Sequence, residues 1–229
     1  MADPVLLITG ASSGIGAATA RHAVANGYRV ALAARSADKL DALVAELGAE
    51  SALALECDVN DKTSQQAMVE HTLERFGRID AVFANAGIGG RPGGFCGADS
   101  DVWKDMILTN IYGVGLTIQA CADALKESRG HLLITGSAAG RTTIPGSMYS
   151  ATKWAVSAIG YGVREELRGT GIRVTLIEPG MVDTPFFDEK PDHALTDQDI
   201  AEAVLFSLSR PASVDVNEIL VRPTPQIDN

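Results

Sequence analysis

Two kinds of segment alternate along almost the whole chain: short apolar runs, and longer stretches with apolar residues at helical spacing. The apolar runs lack the strict alternation of a half-buried strand, and continuous runs of this kind are typical of strands covered on both faces. They predict seven strands of a parallel sheet. The runs are Val5–Ile8, Arg29–Ala34, Ala52–Leu55, Ile79–Ala84, His131–Thr135, Ile172–Ile177 and Glu218–Val221.

The stretches between these runs predict helices, because apolar residues recur there every three or four positions. The order of strands and helices predicts an α/β, Rossmann-type three-layer fold, in which a parallel sheet of about seven strands carries helices on both faces. No linker or internal repeat interrupts the pattern, so residues 1–229 are predicted to form a single domain. The helical stretches are Ile15–Asn26, Lys39–Leu47, Gln65–Phe76, Trp103–Leu125, Lys153–Arg168 and Ile200–Leu208.

Composition narrows the possible functions. The chain has 229 residues and a formal net charge of −10, so it lacks the basic surface of a nucleic-acid-binding protein. The apolar runs are far shorter than the roughly 20 residues of a membrane helix, and Met1–Pro4 shows no secretory signal. Three widely spaced cysteines predict free thiols and a cytoplasmic protein. The four histidines have no metal-ligand spacing, so we expect no metal.

The first apolar run leads into a glycine-rich turn that precedes a helix. Glycines let the backbone approach a diphosphate closely, and a helix N-terminus offers unpaired N–H groups with a partial positive charge. The spacing G-x-x-x-G-x-G differs from the commoner G-x-G-x-x-G, but its position favours dinucleotide binding over a plain glycine-rich loop. The predicted cradle consists of Gly10, Ser12, Ser13, Gly14, Ile15 and Gly16.

The end of the second strand indicates which dinucleotide is preferred. NAD-selective sites place a carboxylate there for the ribose 2′-hydroxyl, whereas this chain has Arg35 followed by Ser36. A guanidinium can hold a 2′-phosphate, so the sequence favours NADP(H) over NAD(H), unless Arg35 is a solvated surface arginine. Asp58, after the third strand, is placed either to accept from the adenine amino group or to make an ordinary turn.

Tyr149 and Lys153 lie four residues apart, so on a helix their side chains share one face. A phenol with a pKa of about 10 is a poor acid–base catalyst, and we expect the ammonium of Lys153 to lower the pKa of Tyr149. Tyr149 is then placed to protonate a carbonyl oxygen or to deprotonate an alcohol. Ser137, which by itself would be an ordinary loop serine, can hydrogen-bond the same substrate oxygen.

Together these motifs resemble the short-chain dehydrogenase/reductase family, and the resemblance covers essentially the whole chain. No catalytic position is missing, although Ala84 stands where the family frequently has asparagine. The tail 216–224 resembles a subgroup with 3-hydroxy acid dehydrogenases and clavaldehyde-type reductases. The matching motifs are Thr9-Gly10-x-x-x-Gly14-x-Gly16, Asn85-Ala86-Gly87, Pro179-Gly180-x-x-x-Thr184 and the catalytic set Asn110, Ser137, Tyr149 and Lys153.

The resemblance also implies individual roles. Lys153 would bind the nicotinamide ribose, and Asn110 would hold a water that relays protons to Lys153. Val182 and Thr184 would bind the carboxamide. A homotetramer or homodimer would form through the two long helices. Beyond the glycine turn, the predicted cofactor set is Arg35, Asp58, Val59, Asn85, Ala86, Gly87, Tyr149, Lys153, Pro179, Gly180, Val182 and Thr184.

Three loops are expected to contact the substrate, over residues 88–100, 138–148 and 181–195. The loop 181–195 is short for the family, which favours a small or medium carbonyl compound over a steroid-sized one. Arg91 or Arg141 is either a carboxylate anchor or a solvated loop residue. Phe186 and Phe187 either close an apolar pocket or pack beneath the loop.

The sequence thus predicts an NADP-dependent carbonyl reductase that interconverts a ketone or aldehyde and the alcohol, with Tyr149 as general acid and base. The alternative is a regulatory protein of the same fold that binds NADP without turnover, and the intact catalytic set argues against it. Epimerases and dehydratases of this fold are generally longer, and 229 residues leave no room for their added substrate-binding region.

Overall fold

The computed structural model describes residues 3–90 and 93–224. The strands are β1 (Val5–Thr9), β2 (Arg29–Ala34), β3 (Ala52–Glu56), β4 (Ala81–Ala84), β5 (His131–Thr135), β6 (Arg173–Pro179), β7 (Val182–Asp183), β8 (Leu195–Thr196) and β9 (Glu218–Val221). Seven of them form a parallel sheet in the order β3-β2-β1-β4-β5-β6-β9, and β7 pairs with β8. The strand order reverses between β1 and β4, where sheets of this kind bind their ligands.

Helices cover both faces of the sheet. The helices are α1 (Gly14–Ala25), α2 (Ala37–Leu47), α3 (Lys62–Phe76), α4 (Gly94–Gly97), α5 (Ser100–Ile107), α6 (Gly113–Ser128), α7 (Met148–Glu166) and α8 (Asp197–Leu208). Apolar residues of α1, α2 and α8 share one core with the sheet, and those of α3, α6 and α7 share the other. The predicted three-layer α/β fold is therefore confirmed. Within the described ranges, no helix is long and apolar enough to cross a bilayer.

The continuous apolar strands follow from these two cores. Side chains point alternately to the two faces of a strand, so Val5 and Leu7 enter one core while Leu6 and Ile8 enter the other. All four residues are fully buried. A polar residue at any of these positions would lie in a core, which explains why β1 shows no alternation.

The helix predicted over 103–125 is interrupted. A π-turn over Leu108–Tyr112 separates α5 from α6, and Asn110 lies within it. The backbone stays helical on both sides of the turn, so apolar periodicity alone does not reveal the extra residue. π-turns of this kind occur frequently at functional sites.

Some boundaries also differ from the prediction. α7 begins at Met148 rather than Lys153, because the Ser147 side chain caps the helix by accepting from the Ser150 N–H at 3.0 Å. Tyr149 therefore lies in the first helical turn. The two-residue strands β7 and β8 were not predicted, because so short a segment carries no periodicity. They close the base of the loop 181–195.

His131 is a buried histidine at the start of β5, only 1% exposed. Its Nε2 lies 2.7 Å from Thr175 Oγ1, whose hydroxyl donates to the Val216 carbonyl. The Nε2–H group of a neutral imidazole therefore donates to Thr175. Burial, with a smaller contribution from Arg173, lowers the pKa of His131 to about 3, so the ring is neutral in the folded protein.

This depressed pKa predicts that acid destabilises the fold through His131. In the unfolded chain the imidazole titrates at about pH 6.5, so below that pH the unfolded state gains a proton that the folded state rejects. Between pH 7.5 and pH 5 the wild-type protein should lose about 2 kcal/mol more free energy of unfolding than His131→Gln, measured by urea denaturation. His71→Gln, which alters an exposed histidine of α3, is the control and should behave as wild type. Equal pH responses of wild type and His131→Gln would contradict the prediction.

Candidate active site

The glycine turn after β1 lies directly against the segment after β4. A Cβ atom added to Gly10 would lie 2.8 Å from Ala86 Cα, and one added to Gly16 would lie 2.3 Å from the Gly10 carbonyl oxygen. Gly10 also has φ +67°, a left-handed conformation that side chains rarely adopt. Larger residues would therefore force apart the two strand ends that form the crevice.

The N-terminus of α1 opens at this turn. Ser13 is the N-cap residue, but its side chain makes no capping hydrogen bond. No side chain therefore caps the first N–H groups of α1, and a diphosphate can satisfy such groups. Gly14 has φ +51°, and an added Cβ would lie 3.1 Å from Thr184 Cγ2. The turn and the segment after β6 thus meet as two walls of a cradle that fits a dinucleotide.

Arg35 follows β2 and lies beside the same turn. The Ala11 N–H donates to the Ala33 carbonyl at 3.2 Å, which ties the turn to the end of β2. Arg35 is exposed, and among the described residues its guanidinium makes no hydrogen bond or ion pair. The side chain is therefore available to an anion at this end of the cradle.

Asp58 and Val59 follow β3. The Asp58 side chain accepts from the Asn60 N–H at 3.0 Å, which is the ordinary turn that the sequence allowed, and its carboxylate remains exposed. Val59 is buried, and a Cβ on Gly113 would lie 3.0 Å from its Cγ2. Val59 thus packs against the start of α6 and supports the loop that carries Asp58.

Asn85 joins the ends of three neighbouring strands. Its Nδ2 donates to the Thr9 carbonyl at 3.1 Å, and its Oδ1 accepts from Thr135 Oγ1 at 3.0 Å. The N–H groups of Asn85 and Ala86 both donate to Thr9 Oγ1. The segment through Gly87 is therefore held close to the glycine turn by side chains as well as by the sheet.

The Asn110 carboxamide is fully engaged by protein atoms. Its Oδ1 accepts from the Ile88 N–H at 2.8 Å, and its Nδ2 donates to the Ile88 carbonyl at 2.9 Å and to Thr152 Oγ1 at 3.1 Å. Asn110 is 1% exposed. Its side chain is thus a positioning group for the segment after β4, and the water relay implied by the family resemblance stays a prediction.

Ser137, Tyr149 and Lys153 meet at the carboxyl end of β5. The Lys153 Nζ lies 5.7 Å from the centre of the Tyr149 ring, so both side chains lie on one face of α7, as their spacing predicts. Ser137 is close enough to the Tyr149 hydroxyl to lower its pKa. Lys153 Nζ donates to the Thr135 carbonyl at 2.7 Å and is almost completely buried. These three residues form a compact polar centre inside the crevice.

Burial controls the protonation of this centre. It lowers the pKa of Lys153 to about 8. It raises the pKa of Tyr149, and Ser137 opposes that rise. The expected lowering of the Tyr149 pKa by Lys153 is not met, because burial raises this pKa and Lys153 is not among the groups that oppose the rise. Ser137 is the neighbour that favours the phenolate.

The segment after β6 reaches back over the site. The Gly180 N–H donates to the Val221 carbonyl of β9 at 2.7 Å, which fixes the chain as it leaves Pro179. Val182 is buried in β7. Thr184 then lies against Gly14. Residues from the two ends of the sequence are thus brought to the same cradle, as the prediction requires.

Phe186 lies over the polar centre. Its ring centre is 5.5 Å from that of Tyr149 and 5.1 Å from that of Phe187. A Cβ on Gly89 would lie 2.9 Å from Phe186 Cζ, so the bare glycine backbone lets the ring approach. Of the two alternatives left open for these phenylalanines, Phe186 is placed to form an apolar wall beside the Tyr149 ring. The sequence offered no signal for the contact with Gly89.

The two candidate carboxylate anchors have different outcomes. Arg91 lies outside the described residues. Arg141 is not a free anchor, because its Nε donates to both carboxylate oxygens of Glu178 at 2.8 and 2.9 Å. Glu178, a buried carboxylate within an apolar strand, was missed by the sequence reasoning. Its position in the run Thr-Leu-Ile-Glu-Pro was the available signal.

The fold and this centre define an α/β dinucleotide-binding oxidoreductase, and comparison with known proteins identifies its family. Residues 4–194 match the short chain dehydrogenase family. An uncharacterized oxidoreductase of Staphylococcus aureus (strain MW2) is 38% identical over 230 residues, covering 97% of this chain and 98% of the relative. The chain belongs to the short-chain dehydrogenase/reductase family and is an oxidoreductase of the type that acts on CH–OH groups.

Solved structures agree with this assignment. An alcohol dehydrogenase from Thermococcus sibiricus, complexed with 5-hydroxy-NADP, is 35% identical, with a TM-score of 0.91 and coverage of 99% of each chain. Serine dehydrogenase from Escherichia coli is 30% identical, with a TM-score of 0.87 and coverage of 95% of this chain and 96% of that one. The parallel sheet and its helices are thus shared over the whole length of these enzymes.

Proposed function

We propose that this protein is an NADP-dependent oxidoreductase that interconverts a small or medium ketone or aldehyde and the corresponding alcohol. The observation that carries the proposal is the grouping of Tyr149 and Lys153 on one helix face, with Ser137 next to the Tyr149 hydroxyl, inside a crevice that fits a dinucleotide. Because Tyr149 keeps its proton at neutral pH, its hydroxyl is ready to act as an acid toward a carbonyl oxygen.

Different segments of the cradle bind different parts of the dinucleotide. The N–H groups at the start of α1 hold the diphosphate, and the segment from Asn85 to Gly87 lines the adenosine ribose. Asp58 and Val59 border the adenine. The backbone from Pro179 through Gly180 to Val182, together with Thr184, orients the carboxamide. When bound, the reduced nicotinamide supplies the hydride that the carbonyl carbon accepts.

The chain's own residues handle the proton. Ser137 holds the substrate oxygen and favours the charged form of Tyr149. Tyr149 donates its hydroxyl proton to the oxygen as the carbonyl is reduced and takes it back in the reverse direction. With a pKa of about 8, Lys153 is cationic at neutral pH and stabilises the phenolate that remains. Lys153 also binds the nicotinamide ribose hydroxyls.

Arg35 supports the preference for NADP(H) over NAD(H). It is exposed at the end of β2 beside the glycine turn, and no acidic residue occupies that strand end. Among the similar structures, the Thermococcus enzyme holds 5-hydroxy-NADP and the closed form of serine dehydrogenase holds NADP+, whereas a 3-ketoacyl-(acyl-carrier-protein) reductase from Brucella melitensis holds NADH. An unpaired guanidinium in that position suits a 2′-phosphate.

Exposed aromatic side chains and free cysteines support an oligomeric, cytoplasmic protein. Tyr112 of the π-turn and Trp154 and Tyr161 of α7 are exposed aromatic side chains along the two long helices. We expect these helices to pair in a homotetramer or homodimer, because large exposed apolar side chains mark contact surfaces. All three cysteines are free thiols, which supports a cytoplasmic location.

The first prediction concerns Tyr149. The variant Tyr149→Phe should bind NADPH as wild type does but lose turnover by about 10²- to 10⁴-fold, because it cannot exchange a proton with the substrate oxygen. NADPH absorbance followed with a panel of ketones and aldehydes gives the rate, and fluorescence titration gives the binding. Tyr28→Phe, which lies directly before the amino end of β2, is the matched control and should keep its activity. Substantial turnover by Tyr149→Phe would refute the assigned role, and a wild type that binds NADPH but consumes none would favour the regulatory alternative.

The second prediction concerns Arg35. Arg35→Ala should weaken NADPH binding by about 10- to 150-fold and leave NADH binding nearly unchanged, since one charge-assisted contact contributes about 1.5–3 kcal/mol. Titration of both dinucleotides against both proteins gives the ratio. Arg168→Ala, which removes an exposed arginine beyond the far end of α7, should change neither affinity. Equal affinity of the unaltered protein for NADPH and NADH would contradict the proposed preference.

The third prediction concerns Phe186. Because its ring lies beside Tyr149, substrates with an apolar or aromatic group next to the carbonyl should pack against it. Phe186→Ala should raise KM for an aryl ketone about tenfold while changing KM for a two- or three-carbon aldehyde little. Phe187→Ala is the control and should have a smaller effect, because Phe187 contacts Tyr149 only through Phe186. Equal changes for the two substrates would show that Phe186 does not select between them.

A further inference from the structure

A buried carboxylate lies one residue before the Pro-Gly segment of β6. Glu178 is 1% exposed, and both of its oxygens accept from Arg141 Nε. The Arg141 Nη2 lies 2.5 Å from Glu218 Oε2 on β9. Arg141 itself keeps 30% of its side chain exposed. One guanidinium thus links the loop after β5 to two neighbouring strands.

Helix α7 closes the other side of this cluster. The Arg141 guanidinium lies 5.7 Å from the centre of the Tyr161 ring. The Ser157 hydroxyl, one helical turn beyond Lys153, lies 3.4 Å from Glu178 Oε1. The cluster therefore contacts α7, the helix that carries Tyr149 and Lys153, at residues further along it, Ser157 and Tyr161.

A single short turn connects the cluster to the polar centre. Ser137 is the residue before a 3-10 turn, Ala138–Gly140, and Arg141 is the residue after it. The Ser150 hydroxyl donates to the Ala139 carbonyl at 2.7 Å. A Cβ on Gly140 would lie 2.7 Å from the Lys153 carbonyl oxygen. The turn is thus pressed against the first turns of α7, with Ser137 at one end and Arg141 at the other.

Energetics argue that this ion pair does more than stabilise the fold. Removing a carboxylate from water costs more than most single contacts return, and apolar replacements of buried pairs are often as stable as the pair itself. A pair that contributes little net stability but holds a defined geometry is suited to positioning. Glu178 and Arg141 meet this description, because their geometry fixes the end of the turn that begins at Ser137.

We propose that Arg141 is a positioning residue whose ion pair with Glu178 fixes the 138–140 turn and thereby sets the position of Ser137 beside Tyr149. The inference rests on the proposed function of Tyr149 only for its effect on turnover. The effect of the ion pair on the order of the turn can be measured without substrate or cofactor. Arg141 touches neither substrate nor cofactor in this role.

The test compares two main variants, with the conservative Arg141→Lys as a third, in order to separate positioning from folding. Replacing one partner would leave a buried charge unpaired, so the pair is removed together in Arg141→Met/Glu178→Gln. Glu218→Gln is the control, because it removes the outer carboxylate and leaves the inner pair intact. Hydrogen exchange of residues 137–142 is measured in both without ligand, and kcat, KM and the pH profile of alcohol oxidation are measured with NADP+.

In the double variant we expect exchange in 137–142 to rise about tenfold while β1 and β2 keep their protection. The kcat should fall about 10- to 100-fold with KM for the dinucleotide nearly unchanged. The polar groups that face Tyr149 are Ser137 and Lys153. Loss of the Ser137 contact should therefore move the rising limb of the oxidation profile to higher pH, with Arg141→Lys intermediate. Glu218→Gln should match wild type in every measurement.

Three results would overturn the proposal. Unchanged exchange and unchanged kcat in the double variant would show that the turn needs no ion pair. Faster exchange throughout the chain would assign Arg141 a general structural role instead. A fall in kcat without the shift in the pH profile would show that Arg141 does not act through the position of Ser137. If the wild-type protein turned over no carbonyl compound, the proposed function would fail, and local exchange in 137–142 would still decide the positioning role.

Discussion

Close contact between two strand ends is the constraint on which the rest of the site depends. The glycine turn after β1 touches the backbone after β4, because Gly10 and Gly16 have no Cβ atom to hold the chains apart. Asn85 then braces β1, β4 and β5 through Thr9 and Thr135. With these ends fixed, the start of α1 faces the crevice where the strand order reverses, which is where a diphosphate can be held.

Burial is the second constraint, and it acts on Tyr149 and Lys153 in the same sense. Desolvation favours the neutral form of each group, so it raises the pKa of the phenol and lowers that of the amine. The spacing of four residues places the pair correctly, but it does not by itself activate the phenol. Ser137, which lies on another loop, is the neighbour that lowers the pKa of Tyr149. The geometry of that loop therefore matters as much as the helix.

Several polar residues that looked free in the sequence serve as braces in the fold. Asn110 uses its whole carboxamide on Ile88 and Thr152. Arg141 pairs with the buried Glu178 and leaves no guanidinium for a substrate carboxylate. Both residues hold segments that line the crevice, and Phe186 lies there beside the Tyr149 ring.

The strands, their parallel arrangement and the glycine turn could be predicted from the sequence, because apolar burial on both faces and the absence of side chains are local properties of the chain. The spacing of Tyr149 and Lys153 is local in the same way, since a helix brings positions four apart to one face. The π-turn around Asn110 could not be predicted, because apolar periodicity does not reveal its extra residue. The partner of Arg141 and the contact of Phe186 with Tyr149 could not be predicted, because each joins residues distant in sequence. The pKa of Tyr149 also could not be predicted from the sequence. How much water a group loses, and which neighbours replace that water, is decided only when the sheet and its helices close around it.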